Sequence, residues 1–206
     1  SRPGISGVAV IRISGPDSSE VLKLLTKHEL PAPRVATLRK INNINTSELI
    51  DEGLILWFPG PESYTGEDMA EIHIHGGKAV VEALLTTLSN IQNCRIAEPG
   101  EFTKMAFQNG KINLLKAESI GDLISAETEI QRSQAIKTMS GKSSEKFDQL
   151  REKLLKILSF VEAKIDFPEE DLPDENLKKI KEDSTDVLNN IKKILNDQKV
   201  GEIIRE

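Results

Sequence analysis

The stretch Trp57–Gly77, which reads WFPGPESYTGEDMAEIHIHGG, indicates how the first half of this chain folds. It contains a Pro/Gly turn, a short alternating segment and a Gly-Gly break before a helix-like run. Because the side chains of a strand alternate between its two faces, the isoleucines of Met69–His75 share one face. The other face then carries Met69, Glu71, His73 and His75. Three ionisable groups on one face indicate that this face is exposed to water or contacts a ligand.

Composition restricts the class of protein. A chain of 206 residues forms one large domain or two small ones and is long enough to bury a core. The formal net charge of −6 argues against broad, non-specific binding to nucleic acid. A single cysteine, Cys94, excludes an internal disulfide and suits a reducing compartment. No apolar run is long enough to span a bilayer, so we expect no membrane partner.

Residues 1–110 contain most of the Gly and Pro turn signals and all the β-favouring runs. Helical patterns separate these runs: one opens near Asp17, a second runs from about Lys78 to Ser89, and a third ends at Gly110. This mixture predicts an α/β or α+β domain with a mixed sheet. The predicted strands are Val8–Ile13, Arg34–Ile41, Leu54–Phe58, Met69–His75 and Arg95–Ala97.

Residues 111–206 have an almost purely helical pattern and are predicted to form a second, all-α domain. Leucines and isoleucines recur at helical spacing in 114–124 and again in 150–161. Pro168 is expected to end the second of these helices, and an acidic loop follows at 169–174. A last helix is predicted at about 175–197.

Three apparent motifs carry little weight. Gly141-Lys142-Ser143 resembles the end of a phosphate-binding loop, but Ile136 stands where that loop needs a glycine, and the run is helical. His73 and His75 with Glu71 could suggest a metal site, yet no third strong ligand cluster is visible, and a polar sheet face explains them equally well. Cys94 has only Arg95 as a possible activating neighbour and is interpreted as an idle thiol.

Three charged residues interrupt patterns that are otherwise structural. Arg12 lies within an apolar strand and must meet solvent, a carboxylate or a ligand acceptor. Glu71 can accept two parallel hydrogen bonds from an amino-pyrimidine edge such as that of a pterin. Lys111 directly follows a predicted glycine helix stop and could direct its cation back at the sheet. A local salt bridge is an equally good explanation for each residue.

Four segments of the chain resemble the MnmE family, also called TrmE, and they occur in the same order. The most specific combination is FPGP–S–YTGED followed by HGG and then PGEF. The segments are VAVIRISG at Val8–Gly15, FPGPESYTGEDMAEIHIHGG at Phe58–Gly77, RIAEPGEFTKMAFQNGKINLLKAESIGDLI at Arg95–Ile124 and VEAKIDFPEED at Val161–Asp171.

The resemblance implies an α+β domain like tetrahydrofolate-binding modules, followed by a helical domain into which a Ras-like GTPase domain is inserted. It implies a homodimer formed through the first domain. It also implies that the protein, together with the FAD-dependent partner MnmG (GidA), modifies carbon 5 of the wobble uridine of tRNA. A folate such as 5-formyl-tetrahydrofolate would supply the one-carbon unit, and GTP hydrolysis would require potassium and magnesium. The location would be the bacterial cytoplasm, or the mitochondrion in a eukaryote.

The family's folate-contacting arginine, glutamate and lysine correspond to Arg12, Glu71 and Lys111. The 206 residues contain no Walker loop, no guanine-recognition motif and no Cys-x-Gly-Lys motif of the family, so we expect this chain itself not to hydrolyse GTP. Two alternatives remain open. One is a stand-alone folate-binding and dimerisation module. The other is an aminomethyltransferase-like enzyme, for which Glu71, His73 and His75 are the candidate acids or bases.

Overall fold

The structure is a computed structural model that describes residues 6–166 and 174–196. The chain divides into two compact units, Ser1–Asn113 and Leu114–Glu206. The boundary lies three residues beyond the predicted one. The first unit contains β1 (Ser6–Ser14), α1 (Ser18–Thr26), β2 (Thr37–Asn42), β3 (Leu49–Phe58), β4 (Met69–Gly76), α2 (Lys78–Ser89) and α3 (Glu101–Gln108).

The strands of the first unit form one sheet with the spatial order β1-β4-β3-β2. Each neighbouring pair is antiparallel, so the expectation of a mixed sheet was wrong, whereas the α+β class is confirmed. The alternation of β with α segments suggested parallel crossovers, but β2, β3 and β4 form an antiparallel meander, and β4 pairs with β1 on its other side. Among the described residues, β1 has a sheet partner on one side only.

The core lies between one face of this sheet and the helices α1 and α2. Alternation along β4 buries Ala70, Ile72 and Ile74, as the sequence pattern predicts. The helices contribute the apolar side chains that complete this core, namely Val21, Leu22, Leu25, Leu84 and Leu88. The opposite face, which carries Glu71, His73 and His75, is called the open face here.

Most predicted elements are confirmed with small changes in their ends. The second helix agrees at both ends, and β4 extends only one residue further than predicted. The strand β3 begins five residues earlier than predicted, at Leu49. The predicted strand Arg95–Ala97 was wrong: it has no ladder partner, and Arg95 turns back to bind Glu101 and the carbonyl of Ile96.

The second unit is helical, as predicted, and α5 begins with a capping box in which Thr128 and Gln131 satisfy each other's backbone N–H groups. Gly141 lies between α5 and α6, so a helix and not a strand precedes the Gly-Lys-Ser sequence. This confirms that the sequence is not a phosphate-binding loop. The helices are α4 (Leu114–Ser125), α5 (Glu129–Met139), α6 (Lys142–Asp166) and α7 (Asp174–Leu195).

Apolar side chains remain exposed on the long helices α6 and α7. They include Leu154, Leu158 and Ile165, the last of which is 70% exposed. The acidic loop predicted at 169–174 lies almost entirely outside the described residues, and the C-terminal sequence from Asp197 onward lies wholly outside them. No helix among the described residues is both long and apolar enough to cross a membrane.

Candidate functional site

Arg12 and Glu71 form an ion pair on the open face of the sheet. They are direct partners in the register of β1 and β4, so both side chains project from the same face. Arg12 donates to Glu71 Oε1 from Nε at 3.0 Å and from Nη2 at 2.5 Å. The glutamate side chain is 18% exposed and the arginine side chain 41%. The structure thus brings together two of the three residues that the sequence singled out.

Two aromatic rings flank the Arg12 guanidinium. Its Cζ atom lies 5.8 Å from the ring centre of Tyr64 and 5.7 Å from that of Phe102. Both distances are within the range of cation–π attraction. The Tyr64 hydroxyl is also 2.9 Å from Thr103 Oγ1, which fixes the ring against α3. Arg12 is therefore held in one orientation by aromatic faces as well as by Glu71.

Glu71 is also bonded to His73, its neighbour on the same face of β4. His73 Nε2 lies 3.3 Å from Glu71 Oε2, so each carboxylate oxygen of Glu71 has a partner. Partial burial raises the pKa of Glu71, but the hydrogen bonds from Arg12 and His73 outweigh this effect and leave the pKa below its ordinary value. Glu71 is consequently an ionised acceptor at neutral pH.

Lys111 is positioned by the end of α3. Gly110 has a left-handed backbone with φ +68°, which confirms the predicted glycine stop. The N–H of Gly110 donates to Phe107 O at 3.0 Å, and the N–H of Lys111 donates to Ala106 O at 2.8 Å. These two bonds are those of a Schellman motif, which reverses the chain at a helix end. Lys111 is therefore the first residue after a defined turn, as the glycine predicted.

The reversal directs the Lys111 side chain to the loop between β3 and β4. A β-carbon built on Gly66 would lie 3.3 Å from Lys111 Cγ and 3.4 Å from Cδ, so the lysine stem packs on that glycine. Lys111 makes no ion pair with Glu71. The structure places it at the same loop that contributes Tyr64, while the direct pair consists of Arg12 and Glu71 alone.

Thr65 ties the loop to the rest of the site. Its side chain is fully buried, and its hydroxyl lies 2.7 Å from Ser14 Oγ at the end of β1. Its carbonyl accepts a bond from Asn109 Nδ2 at 2.7 Å, two residues before Lys111. One threonine thus joins β1, the loop and the end of α3. The contact of its hydroxyl explains why a threonine occupies this position of the YTGED segment.

A second paired imidazole lies further along the open face. The backbone N–H of His75 donates to Asp51 Oδ2 at 2.8 Å, and the His75 ring Nδ1 lies 2.9 Å from Asp51 Oδ1. Burial raises the pKa of Asp51, but the bonds from His75 and from the N–H of Glu52 outweigh it and lower the pKa. The Asp51 side chain is 11% exposed, whereas that of His75 is 74% exposed.

A large groove of about 1330 Å³ follows the edge of β1 that faces away from β4. Its walls are β1, α2 and the segment 93–105, and Arg12 and Phe102 border it. Glu71 and Lys111 do not line it. The groove therefore meets the open face along β1, where both Val10 and Arg12 line it, but it does not extend to Glu71 or Lys111.

Sequence reasoning found Arg12, Glu71 and Lys111 but did not single out Tyr64, Phe102 or Asp51. The two aromatic residues lie within the YTGED and PGEF segments, so their motifs were visible although their contact with Arg12 was not. Among the described residues, no three His, Cys, Asp or Glu side chains are placed to hold a metal ion.

Comparison with protein families defines the class of domain. Residues 1–111 match the family described as the GTP-binding protein TrmE N-terminus, and residues 114–206 match the MnmE helical domain. The chain therefore belongs to the MnmE (TrmE) family.

Individual relatives agree with this assignment. The chain is 75% identical to the tRNA modification GTPase MnmE of Pelagibacter ubique (strain HTCC1062), over 99% of this chain and 46% of that protein. It is 48% identical to the protein of the same name from Rickettsia akari (strain Hartford), over 98% of this chain and 45% of that protein. The chain thus spans about half the length of these relatives.

Proposed function

We propose that this chain supplies the folate-binding part of a tRNA modification GTPase. The observation that carries the proposal is the Arg12–Glu71 pair on the open face, held between Tyr64 and Phe102. An ionised carboxylate beside a fixed guanidinium and two aromatic rings suits a flat heterocycle that presents both N–H donors and a carbonyl. A reduced pterin has this combination.

The hydrogen-bonding capacity of the pair supports this use. A carboxylate offers about four lone-pair positions, and Glu71 uses only some of them on Arg12 and His73. A guanidinium has five N–H donors, and Arg12 directs the Nε and Nη2 groups at Glu71. The remaining acceptor positions can take the paired N–H groups of the pterin edge. The remaining donors, together with Lys111, can bind carbonyl, formyl or carboxylate oxygens.

Family membership supports a proposal for the wider reaction. We propose that the complete protein acts with the FAD-dependent MnmG on carbon 5 of the wobble uridine of tRNA, with the one-carbon unit drawn from a folate such as 5-formyl-tetrahydrofolate. GTP hydrolysis with magnesium and potassium would belong to the other half of such a protein. The bacterial relatives favour a cytoplasmic location.

We further propose that the chain forms a homodimer through its first unit. The open face supports this because it carries a cross-strand row of apolar side chains. Val10 pairs with His73, His73 with Leu54, and Leu54 with Leu38. The exposed fraction is 43% for Val10, 41% for Leu54 and 58% for Leu38. A second copy would pack on Leu38 and on the part of this row that a bound ligand leaves exposed.

The folate proposal is tested by calorimetry with 5-formyl-tetrahydrofolate and two glutamate variants. Glu71→Gln removes the charge of the half-buried acceptor, and loss of one partner of such a bond costs about 2–5 kcal/mol. At about 1.4 kcal/mol per tenfold change, binding should weaken at least roughly 25-fold. Glu82→Gln is the matched control, because Glu82 is 63% exposed on α2 and pairs only with Lys78 at 3.6 Å.

Circular dichroism should show that both variants keep the fold of the unaltered chain. Equal folate affinity of the two variants would show that Glu71 is not the pterin acceptor. A selective loss in Glu82→Gln would instead place the ligand in the groove along β1, which Glu82 helps to line.

A further inference from the structure

The open face presents three kinds of surface in a fixed order along β4. Arg12 and Glu71 form its charged end, beside the aromatic rings of Tyr64 and Phe102. The next row across the sheet is apolar, with Val10 and Leu54 on either side of His73. The row after that ends at His75, on the same face as Glu71 because the two are four residues apart in one strand.

The His75 ring has a defined tautomer. Asp51 is an ionised acceptor, so the ring nitrogen that faces it, Nδ1, must carry a hydrogen. The other nitrogen, Nε2, is not engaged by Asp51, and the side chain that carries it is 74% exposed. In the imidazolium form, Nε2 is a charged N–H donor directed away from Asp51. Asp51 thus orients this donor position at the far end of the open face.

The surroundings of His75 leave that donor accessible to an anion. The charged or titratable groups nearest in register are Asp51 and Glu52 on β3, His73 two residues earlier in β4, and Lys40, which lies opposite Glu52 in the register of β2 and β3. Asp51 is engaged by the His75 ring and by two backbone N–H groups. On the other side of β4, β1 contributes no titratable side chain opposite His75, since Ser6 pairs with Gly76 and Ala9 with Ile74.

The order of these surfaces matches the order of groups in a folate. A folate has a pterin with N–H donors at one end, an apolar aminobenzoyl ring in the middle and glutamyl carboxylates at the other end. His75 lies four positions after Glu71 in β4, a distance of roughly 13 Å along the strand. Tyr64 and Phe102 occupy the Arg12 end, so a ligand anchored at Glu71 extends along β4 in the direction of His75.

We propose that His75, oriented by Asp51, is the subsite that binds the glutamyl carboxylate of the folate. The inference rests on the proposed folate function and adds the direction in which the ligand lies and the group that binds its tail. Val10 and Leu54 would contact the aminobenzoyl ring between the two polar ends. The carboxylate is bound by the imidazolium form of the ring, which donates from both of its nitrogens.

The test compares two ligands that differ only in the charge of the tail. One is 5-formyl-tetrahydrofolate, and the other is its diamide, in which both glutamyl carboxylates are carboxamides. For the unaltered chain at pH 6.0, calorimetry should show that the carboxylate ligand binds about three- to fivefold more tightly, the range expected of an exposed ion pair.

The His75→Gln variant should bind the two ligands equally at the same pH, while its affinity for the diamide stays that of the unaltered chain. His28→Gln, at an exposed position beyond α1, is the matched control and should keep the full preference. A preference that survives in His75→Gln would overturn the subsite and leave the pterin site at Glu71 intact. If the unaltered chain binds neither ligand, both the subsite and the folate proposal are wrong.

Discussion

The backbone of Gly53 in β3 packs directly against the carbonyl group of His73 in β4. A β-carbon added to Gly53 would lie 2.1 Å from His73 O and 3.2 Å from the carbonyl carbon. Both atoms are backbone, so neither can move without shifting a strand. This contact fixes the separation of β3 and β4 where the open face carries His73 and where Asp51 reaches His75.

Gly53→Ala should therefore destabilise the first unit by about 2–4 kcal/mol, in the range of substitutions that force a backbone shift. Urea unfolding followed by circular dichroism measures the change. Gly7→Ala is the matched control, because a β-carbon at Gly7 meets nothing within 4 Å. A Gly53→Ala variant as stable as Gly7→Ala would show that the two strands are not in this contact.

The acid sensitivity of the fold should depend on Glu71. Its pKa is lowered in the folded chain, so the folded state holds this proton less tightly than the unfolded state. Ionised Glu71 therefore stabilises the fold above the ordinary glutamate pKa of 4.5. This stabilisation is lost as the pH falls through the lower pKa of the folded state. An NMR titration of the Glu71 carboxyl carbon should give a pKa below 4.5.

Arg12→Met should raise the pKa of Glu71, because it removes two hydrogen bonds and leaves the effect of burial. Lys78→Gln, whose side chain is 87% exposed and pairs with Glu82, should leave it unchanged. If the Glu71 carboxyl of the unaltered chain titrates at 4.5 or higher, the Arg12–Glu71 ion pair is contradicted.

Dimer formation should be sensitive to charge on the open face. Leu54→Glu places a carboxylate in the apolar row, and an unpaired charge buried in an interface should weaken a dimer at least about tenfold. Leu24→Glu is the matched control, since Leu24 is 42% exposed and Leu54 41%, but Leu24 lies on α1 rather than on the sheet. Sedimentation at tens of micromolar should show more monomer for Leu54→Glu alone. A monomeric unaltered chain, or equal dimerisation of the two variants, would count against the interface.

The sequence predicted the parts of the fold that depend on local pattern. The period of two in Met69–His75 gave the strand and its two faces, and Gly110 gave the end of α3 and hence the position of Lys111. It also drew attention to Arg12 and Glu71 as polar residues in structural segments. Each of these conclusions needs only neighbouring residues and the geometry of one element.

The sequence did not predict features that require long-range pairing. The β-favouring residues of Arg95–Ala97 form no strand, because propensity cannot supply a ladder partner. The contact of Arg12 with Phe102 joins residues far apart in the chain, and the Asp51–His75 pair depends on where β3 leaves β4 beyond Gly53. The strand order of the sheet likewise depends on the pairing of β4 with β1, which lies far earlier in the chain.

The most direct test of the central claim is a crystal structure of this chain with 5-formyl-tetrahydrofolate. The account predicts that the amino-pyrimidine edge of the pterin lies within hydrogen-bond distance of the Glu71 carboxylate, with the ring beside the Arg12 guanidinium on the open face. A pterin bound in the groove along β1, with Glu71 still bonded only to Arg12 and His73, would contradict it.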